Sequence, residues 1–356
     1  MKKLVILFAM VFVASVAMSQ SNTSTINQSD VTQTATVGQS GGDNESSITQ
    51  SNSLNTATVT QINYQYEPGV DLIKSTVLQS GVENTATVVQ THSRGGSYPG
   101  GGGLIEAYVN QTGDDNTSMQ IQGPNNQMGN DYAEVLQSGS DNDAYQIQYR
   151  QGNDAYINQV GNGNTARQAQ DTELPDEAEG SSNYADIYQS GDGNTAEQEQ
   201  QGWSNEAWIE QSGSENTATQ LQLSWQGEAH IIQSGSGNTA EQKQYSGGAS
   251  FATIEQSSNS NSASQTQTSD SRHDGEGGSH YNLNVAEIYQ MGDELNEAIQ
   301  IQTSPGGAVD MNYATVTQNG YDNYAIQTQD GGFNTSTISQ TGSGHTATVT
   351  QSQLIP

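Results

Sequence analysis

Hydrophobic and polar residues alternate along short segments of this chain, and turns rich in glycine and asparagine separate the segments. In Asn153–Gln159, asparagine, alanine, isoleucine and glutamine alternate with residues of no fixed type. After the next turn, Asn164–Gln170 carries asparagine, alanine and two glutamines at the corresponding positions. Because the side chains of a β-strand point alternately to opposite faces, each segment is predicted to be a strand with one regular and one variable face.

Glutamine returns every eleven residues along much of the chain. Gln79–Gln90 shows the repeating unit, Q-x-G-x-x-N-x-A-x-x-x-Q. The same unit recurs at Gln137–Gln148, Gln159–Gln170, Gln189–Gln200, Gln211–Gln222, Gln233–Gln244 and Gln318–Gln329. A fixed short period is typical of a solenoid, in which each repeat stacks on its neighbours.

Successive turns of the repeat differ in length. Thirteen compact turns begin at Gln28, Gln50, Gln79, Gln111, Gln137, Gln159, Gln189, Gln211, Gln233, Gln256, Gln290, Gln318 and Gln340. Intervals of 18, 21, 15, 19, 23 and 16 residues follow Gln61, Gln90, Gln122, Gln170, Gln267 and Gln302. All six insertions fall on the alternate turns, which indicates a 22-residue repeat of strand, tight arc, strand and loose arc. The predicted fold is all-β: a parallel β-solenoid with two strands per rung, about 13 rungs and loop insertions along one edge.

The inside of this solenoid is predicted to hold ladders of stacked amides. When like residues lie one rung above another, about 4.8 Å apart, each amide can donate to one neighbour and accept from the other. A lone buried amide would cost roughly 1–3 kcal/mol, and the ladder removes that cost at every rung except the ends. The candidate residues for the ladders and for polymerisation are Gln28, Gln50, Gln79, Asn84, Gln90, Gln111, Asn116, Gln137, Asn142, Gln148, Gln159, Asn164, Gln170, Gln189, Asn194, Gln200, Gln211, Asn216, Gln222, Gln233, Asn238, Gln244, Gln318, Asn323, Gln329, Gln340 and Gln351.

Composition changes this picture only at the N-terminus. Only 31% of the residues are hydrophobic and the net charge is −31, values that would suggest disorder if the repeat were absent. Lys2 and Lys3, the apolar run Leu4–Val16 and the small residues before Ser19 form a secretory signal peptide. We therefore expect a signal peptide at 1–19, the repeat domain at 20–351, a short tail at 352–356 and a secreted, extracellular protein.

The charge and the lack of cysteine exclude several function classes. Six basic residues against 39 acidic ones in the mature chain would repel nucleic acid and anionic lipid. No segment after the signal is apolar for long enough to span a bilayer, so we expect no membrane insertion. The chain has no cysteine, which excludes disulfides and thiolate metal sites.

The repeat resembles the curlin repeat of the curli major and minor fibre subunits, with the pattern S-x5-Q-x-G-x-x-N-x-A-x-x-x-Q. The resemblance extends from Ser24 to Gln351. It implies a secreted functional amyloid that polymerises into cell-surface fibres and contributes to adhesion and biofilm matrix. It also implies export through an outer-membrane secretion pore and contact with related curli-like subunits or a nucleator.

This chain departs from the family pattern in three ways. It has 13 repeats where five is usual, its insertions exceed the period by up to twelve residues, and alanine usually replaces the leading serine. The roles of major subunit, nucleator and accessory adhesin therefore remain open. A monomeric solenoid adhesin that does not polymerise is the alternative function. Growth is expected at the terminal strands, Thr25–Gln28 and Thr346–Gln351, where proline at Ile26 and Val349 should block it.

An enzyme is not expected, and neither is a cofactor. The histidines lie at unrelated places in the repeat and are expected to be solvated loop residues: His92, His230, His273, His280 and His345. The glycine-rich segment Gly95–Gly103 lacks the lysine and the strand–helix context of a phosphate site.

Two binding functions remain as weaker alternatives. Carboxylates near the compact arcs, as in Asp114–Asn116, Asp141–Asp143 and Asp192–Asn194, could hold calcium, but their positions vary and they are better explained by solubility. Outward Thr-x-Thr pairs could bind ice, but Arg167, Glu197 and Glu241 interrupt the array. Aromatic residues also fall outward or in arcs, where they are ordinary strand formers or adhesive contacts: Tyr188, Tyr289, Trp203, Trp208 and Trp225.

Overall fold

The fold is known from a computed structural model that describes residues 21–64, 72–92, 103–123, 130–150, 152–171, 182–245, 249–269, 283–304 and 311–352. The proposed signal peptide at 1–19 and the six long insertions fall wholly or largely outside these ranges. The chain divides into two compact units, Met1–Ser182 and Asn183–Pro356. No helix within the described ranges has the length and apolar character needed to cross a membrane.

The first unit contains twelve strands. They are β1 (Thr23–Gln28), β2 (Thr34–Gly41), β3 (Asn44–Ser53), β4 (Thr56–Asn63), β5 (Leu72–Val82), β6 (Thr85–His92), β7 (Leu104–Thr112), β8 (Thr117–Gln122), β9 (Asp131–Ser138), β10 (Asp143–Gln148), β11 (Asp154–Val160) and β12 (Thr165–Gln170). Odd-numbered strands follow one another in one sheet, and even-numbered strands follow one another in the other.

The second unit contains fourteen strands with the same alternation. They are β13 (Tyr184–Asp192), β14 (Thr195–Gln201), β15 (Glu206–Ser214), β16 (Thr217–Leu223), β17 (Glu228–Ser236), β18 (Thr239–Tyr245), β19 (Ser250–Gln256), β20 (Ser262–Ser269), β21 (Leu283–Met291), β22 (Glu297–Ser304), β23 (Met311–Tyr321), β24 (Tyr324–Asp330), β25 (Thr335–Ser343) and β26 (Thr346–Ser352).

All pairings within each unit are parallel and keep the repeat in register. Ala155 lies opposite Ala133, Ile157 opposite Val135, and Gln159 opposite Gln137. The six long insertions each connect an even-numbered strand to the next odd-numbered one. The predicted all-β, parallel, two-sheet solenoid is therefore confirmed, with 26 strands.

The core lies between the inward faces of the two sheets. In the first turns it is aliphatic, a buried cluster of Ile48, Ala57, Val59, Val77, Ala86, Val88, Ala107 and Val109. At β8 the middle inward position of the even-numbered sheet changes from valine to glutamine: Val88 of β6 lies opposite the fully buried Gln120. From there on, one inner wall carries alanine with valine or isoleucine, and the other carries mainly alanine and glutamine.

The compact arcs depend on backbone conformations with positive φ. In the arc after β7, Gly113 has φ of 108° and Asp115 has φ of 56°. A Cβ atom on Gly113 would lie 2.0 Å from the carbonyl oxygen of Gly139 in the next arc. Glycine is therefore required at this place both for its φ angle and for the close stacking of arcs.

Candidate functional site: amide ladders and terminal rungs

Glutamine amides form continuous hydrogen-bonded ladders inside each unit. In the first unit, the Nε2 of Gln50 donates to Oε1 of Gln79 at 2.7 Å, and Gln79 donates to Gln111 at 2.8 Å. In the second unit, Gln211 donates in the same sense to Gln233 at 2.8 Å. Each step runs from one rung to the next rung towards the C-terminus, so the ladders have a direction.

The same amides also tie the two sheets together. The Nε2 of Gln79 donates to the carbonyl oxygens of Thr56 at 3.0 Å and Asn84 at 3.1 Å, besides donating to Gln111. Gln79 is 2% exposed, so these bonds replace all of its contacts with water. Buried amides are stable here because each one has several partners.

Asparagine side chains form a second kind of ladder, at the compact arcs. The Nδ2 of Asn84 donates to Oδ1 of Asn55 at 3.1 Å, and the backbone N–H of Asn84 donates to the same oxygen at 3.0 Å. These bonds run from one rung back to the preceding one, opposite to the glutamine bonds. The Nδ2 of Asn84 also donates forward, to the carbonyl oxygen of Gly113 at 2.6 Å. The arcs are thus linked in both directions.

The structure places every predicted ladder residue on an inward face or at an arc. Gln28 and Gln351 are half-buried because they lie in terminal strands, and the remaining predicted residues are buried. Among the ladder members that the prediction omitted are Gln39, Gln61, Gln256, Gln267, Gln290, Gln302, Asn55, Asn261 and Asn296. The repeat spacing had already marked Gln61, Gln256, Gln267, Gln290 and Gln302 as repeat glutamines, and the same spacing could have found Gln39 and the three asparagines.

The even-numbered sheet carries two further glutamine ladders. The second ladder includes Gln61, Gln90 and Gln122 near the ends of their strands, and the third ladder occupies the middle of the sheet. In the first unit it begins at Gln120, which donates to Gln146 at 2.9 Å, and Gln146 donates to Gln168 at 2.9 Å. The Oε1 atom of Gln120 is buried without a partner, because the preceding residue in this column is Val88. The ladder therefore starts at an unsatisfied acceptor.

Asp131 stands where other turns place an asparagine. It is 6% exposed, and its Oδ1 accepts the backbone N–H of Asn153 at 3.0 Å. The Nδ2 of Asn153 donates to Oδ2 of the buried Asp171 at 3.1 Å. Burial raises the pKa of Asp131 to about 8; hydrogen bonds from the Asn153 and Gly152 backbone oppose the shift, and the charges of Asp154 and Asp171 add to it.

The expectation that the histidines are loop residues is wrong at two positions, His92 and His230, which both lie on strands. His92 is not a solvated loop residue but the last residue of β6, where it is 4% exposed and lies opposite Asn63. The strand continues two residues past Gln90, so the inward alternation reaches His92. His230 lies outward on β17 with its Nε2 3.0 Å from Oε1 of Glu228. His345 occupies an asparagine place, and its N–H donates to Oδ1 of Asn323 at 3.2 Å. His273 and His280 lie outside the described ranges.

Carboxylates at the compact arcs have roles in the arc itself. Oδ1 of Asp114 accepts the backbone N–H of Val82 at 2.9 Å, from the preceding arc. Asp115 adopts positive φ, and its N–H donates to the carbonyl oxygen of Val82 at 2.9 Å. These acidic residues therefore contribute to the stacking of the arcs as well as to the net charge.

Thr-x-Thr pairs align on neighbouring strands at one place. On β2, β4 and β6 the pairs lie in register, with Thr34, Thr56 and Thr85 in one column and Thr36, Thr58 and Thr87 in the next. The second column ends at Met119 on β8. The array spans three rungs, whereas Arg167, Glu197 and Glu241 interrupt it on later strands, as expected.

The first and last rungs carry matching inward residues. The inward residues of β1 and β25 are serine, isoleucine and glutamine in the same order: Ser24, Ile26, Gln28 and Ser336, Ile338, Gln340. Those of β2 and β26 are alanine, valine and glutamine: Ala35, Val37, Gln39 and Ala347, Val349, Gln351. The two terminal surfaces therefore present the same side chains at the same register.

Backbone hydrogen bonds define which groups face the terminal edges. The outward residue Thr34 donates its N–H to the next rung, to the carbonyl oxygen of Asn55 at 2.8 Å. Gly113, which lies two residues after the inward Gln111 and so shares its alternation, donates its N–H to the preceding rung, to the carbonyl oxygen of Ser80 at 2.9 Å. The N–H of Ile26 thus faces the free edge of β1, but that of Val349 faces β24. Proline at Val349 would therefore remove a backbone hydrogen bond between β26 and β24. The N–H groups that face the free edge of β26 are those of Thr346, Thr348 and Thr350.

Comparison with known families identifies the repeat. The family model described as the Curlin associated repeat matches residues 180–219 and 328–352. These regions cover β13–β15 and β25–β26. The match confirms the resemblance of the repeat. No curated protein matches the chain.

Proposed function

Because the chain carries curlin repeats on a two-sheet β-solenoid, we propose that it is a secreted structural protein, a subunit of curli-like amyloid fibres. In this function it adds end to end to other copies and contributes to cell adhesion and to the matrix of a biofilm. We propose the same partners as the resemblance implies, namely further copies, related subunits or a nucleator, and an outer-membrane secretion pore. The protein has no catalytic role in this proposal.

The match between the terminal rungs is the observation that carries the proposal. Suppose that a second copy places its β1 on β25 and its β2 on β26. Serine, isoleucine and glutamine of β1 then contact identical residues of β25, and alanine, valine and glutamine of β2 contact identical residues of β26. The glutamine ladder continues across such a junction, because Gln340 and Gln351 lie at the donor end and Gln28 and Gln39 at the acceptor end. The addition is head to tail and repeats without limit.

Burial at the ends supports the same interaction. Ile26 on β1 is half-buried, whereas Ile48, its partner on β3, is 0% exposed. Among the described residues, no strand pairs with the outer edge of β1, β2, β25 or β26. Unpaired parallel edges that expose apolar side chains are templates for another chain.

The distribution of charge also favours the terminal rungs as the contact. The chain has a net charge of −31, yet β1, β2, β25 and β26 contain no aspartate, glutamate, lysine or arginine. Strands of inner rungs, such as β14, carry acidic residues on the outward face, Glu197 and Glu199 among them. Two ends can therefore approach without placing like charges in direct contact.

Incubation of the purified mature chain tests the proposal. Thioflavin fluorescence should rise with time, and electron microscopy should show unbranched fibres. A chain that stays monomeric at high concentration, with its strand content intact, would overturn the fibre proposal and leave the monomeric adhesin as the function.

A further inference from the structure

The tryptophans of the chain are concentrated on two successive turns. All three lie within residues 203–225: Trp203 and Trp225 in the loose arcs after β14 and β16, and Trp208 on the outward face of β15. Trp203 and Trp225 stack with ring centroids 5.9 Å apart, and they are 43% and 45% exposed. Large aromatic rings held in the open in this way are typical of binding surfaces.

Further aromatic rings lie on the outward face of the strands that these two turns contain or adjoin. Tyr184 on β13 lies 5.5 Å from Trp208, and Trp208 lies 4.4 Å from His230 on β17, measured between ring centroids. Tyr188, on the same face of β13, is 38% exposed. Trp208 and His230 are register partners on adjacent strands, so the sheet positions these two rings.

Carboxylates alternate with the rings on this face. Asp186 is the register partner of Trp208, and Glu206 is that of Tyr184. Glu210 and Glu228 lie on the same outward face of β15 and β17. From residue 183 to residue 245 the chain has nine acidic residues and one basic residue, Lys243. We call the surface formed by Tyr184, Asp186, Tyr188, Glu206, Trp208, Glu210, Glu228 and His230, with the arc residues Trp203 and Trp225, the tryptophan face.

We propose that the tryptophan face binds an arginine-rich polypeptide segment. A guanidinium group stacks on aromatic rings and forms paired hydrogen bonds with carboxylates, and this face offers both at the spacing of neighbouring strands. Lysine lacks the planar group and is expected to bind more weakly. A second copy of this chain does not fit, because its own surface is also strongly acidic, and nucleic acid is repelled for the same reason.

The wall of the solenoid already shows this type of contact within the chain. Arg167 on β12 places its guanidinium carbon 5.8 Å from the ring centroid of Tyr145. The two residues are register partners on adjacent strands β10 and β12. An arginine from a partner chain would lie against an outward ring of the tryptophan face in the same way. Binding at this face does not require fibre formation, because the face belongs to one unit of one chain.

Intrinsic fluorescence provides the test, because every tryptophan of the chain lies in the proposed site. Freshly purified monomeric chain is titrated with a short peptide in which arginine alternates with serine. The comparison ligands are the lysine–serine and glutamine–serine peptides and a β-1,4-linked glucose oligomer. We expect a saturable change with the arginine peptide, a weaker one with the lysine peptide, and none with the two neutral ligands. Added sodium chloride should weaken the binding.

Matched variants locate the binding. Trp208→Thr should raise the Kd of the arginine peptide by about tenfold, and the fold should be kept because Thr253 and Thr315 occupy equivalent outward positions on β19 and β23. The Trp203→Gln/Trp225→Gln double variant should also raise the Kd, with Trp208 as the reporter. The charge variants compare two sets of four neutralised acids: Asp186, Glu206, Glu210 and Glu228 within the face, and Asp293, Glu294, Asp322 and Asp330 outside it.

Loss of binding only in the set within the face supports the proposal. Equal loss in both sets would overturn it in favour of diffuse charge. Saturable, salt-independent binding of the glucose oligomer without binding of the arginine peptide would overturn it in favour of a carbohydrate site. Trp208→Thr with unchanged affinity would remove the aromatic part of the inference.

Discussion

Asn153 donates its backbone N–H to a carboxylate oxygen of Asp131, 3.0 Å away, at a position of the repeat where the second unit uses an asparagine oxygen as the acceptor. In that unit, for example, Asn205 donates its N–H to Oδ1 of Asn183 at 3.0 Å. The geometry of the two contacts is the same, but only Asp131 can ionise. A proton on Asp131 therefore makes it an approximate substitute for asparagine, and loss of the proton buries a charge.

This substitution makes the stability of the first unit depend on pH. The folded-state pKa of Asp131 is raised by burial to about 8, above the ordinary value of 3.8. The folded state favours the protonated carboxyl. Its contribution to the free energy of unfolding is therefore complete below about pH 4 and is lost as the pH rises through about 8. We expect the free energy of unfolding to fall by more than about 1 kcal/mol across this window. Chemical denaturation at a series of pH values measures it.

Asp131→Asn should remove most of this pH dependence and raise stability at pH 8, since the amide is neutral and fits the asparagine position. Asp141→Asn is the matched control, because Asp141 is exposed in a compact arc. A wild-type pH profile that survives in the Asp131 variant would contradict the assignment.

The third glutamine ladder gives a test of how amides stabilise the core. Gln146→Val should cost roughly 1–3 kcal/mol, because Gln120 loses its acceptor and Gln168 loses a donor. Gln120→Val should cost less than about 0.5 kcal/mol, because Oε1 of Gln120 already lacks a partner. That change extends the column of Val59 and Val88 by one rung and moves the start of the ladder to Gln146.

Both variants replace glutamine by valine in the same sheet, so the changes in side-chain volume and in strand propensity are matched. The difference in their free energies of unfolding therefore reports the ladder itself. Equal costs for the two substitutions would show that continuity of the ladder has no energetic importance.

The period and the register of this fold could be predicted from the sequence, because each position of the repeat makes the same contact on every turn. Counting from the glutamines assigns the inward face of Ala155 and Ile157 without any other information. Asp131 could also have been found, since it precedes Gln137 by the same six residues that separate Asn153 from Gln159. The insertion before it conceals the pattern. His92 was missed because the boundary between strand and insertion is not encoded in the repeat.

The direction of the hydrogen bonds could not be predicted from spacing. An amide can donate to either neighbour, and the preference depends on which backbone carbonyl lies within reach of the second amide hydrogen, as with Gln79 and the Thr56 carbonyl. The same applies to the backbone, where the N–H of Val349 faces inward along the stack and that of Ile26 faces the free edge. Only the three-dimensional pairing distinguishes these two residues.

Glycine in the compact arcs gives a third prediction. Gly113→Ala should destabilise the first unit by more than about 2 kcal/mol, because φ is 108° and the new Cβ would meet the carbonyl oxygen of Gly139 at 2.0 Å. Gly38→Ala on the outward face of β2 is the control, since no atom lies within 4 Å of its added Cβ. Urea denaturation of both variants measures the difference. A Gly113 variant as stable as the Gly38 variant would contradict the close stacking of the arcs.

Proline at the terminal edges tests the direction of growth. Ile26→Pro and Thr348→Pro each remove an N–H that faces a free edge, so the monomer should stay folded while seeded elongation is lost at the altered end. Val349→Pro should instead lower the stability of the monomer, because its N–H bonds within the molecule. Circular dichroism measures the fold, and growth on wild-type seeds measures elongation.

The interior variant Val316→Pro is a control for unfolding, because β23 is paired on both sides. If Ile26→Pro and Thr348→Pro variants elongate at the wild-type rate, the terminal rungs are not the contact. Loss of growth with only one of the two would show which end accepts new subunits.

Charge repulsion should set the rate of assembly. The terminal strands are uncharged, but Asp30 and Asp43 lie in the arcs of the first rung, and Asp330 lies at the end of β24, next to the last rung. Stacking brings these groups and the acidic inner rungs of two chains together, whereas within one chain they are already in place. Repulsion therefore opposes association more than folding, and it extends about 8 Å at physiological salt.

Assembly followed by thioflavin fluorescence should thus be slow in neutral, low-salt buffer and faster when sodium chloride is added or the pH falls towards the carboxylate range. Protonation of Asp131 below about pH 8 also stabilises the folded first unit. Acid should therefore favour both the folded unit and the fibre. Calcium chloride and sodium chloride at equal ionic strength separate two roles for the acidic arcs. Equal rates indicate diffuse charge, and assembly triggered by micromolar calcium alone indicates a specific site at the arcs. Rates that do not respond to pH, sodium chloride or calcium would contradict the electrostatic account.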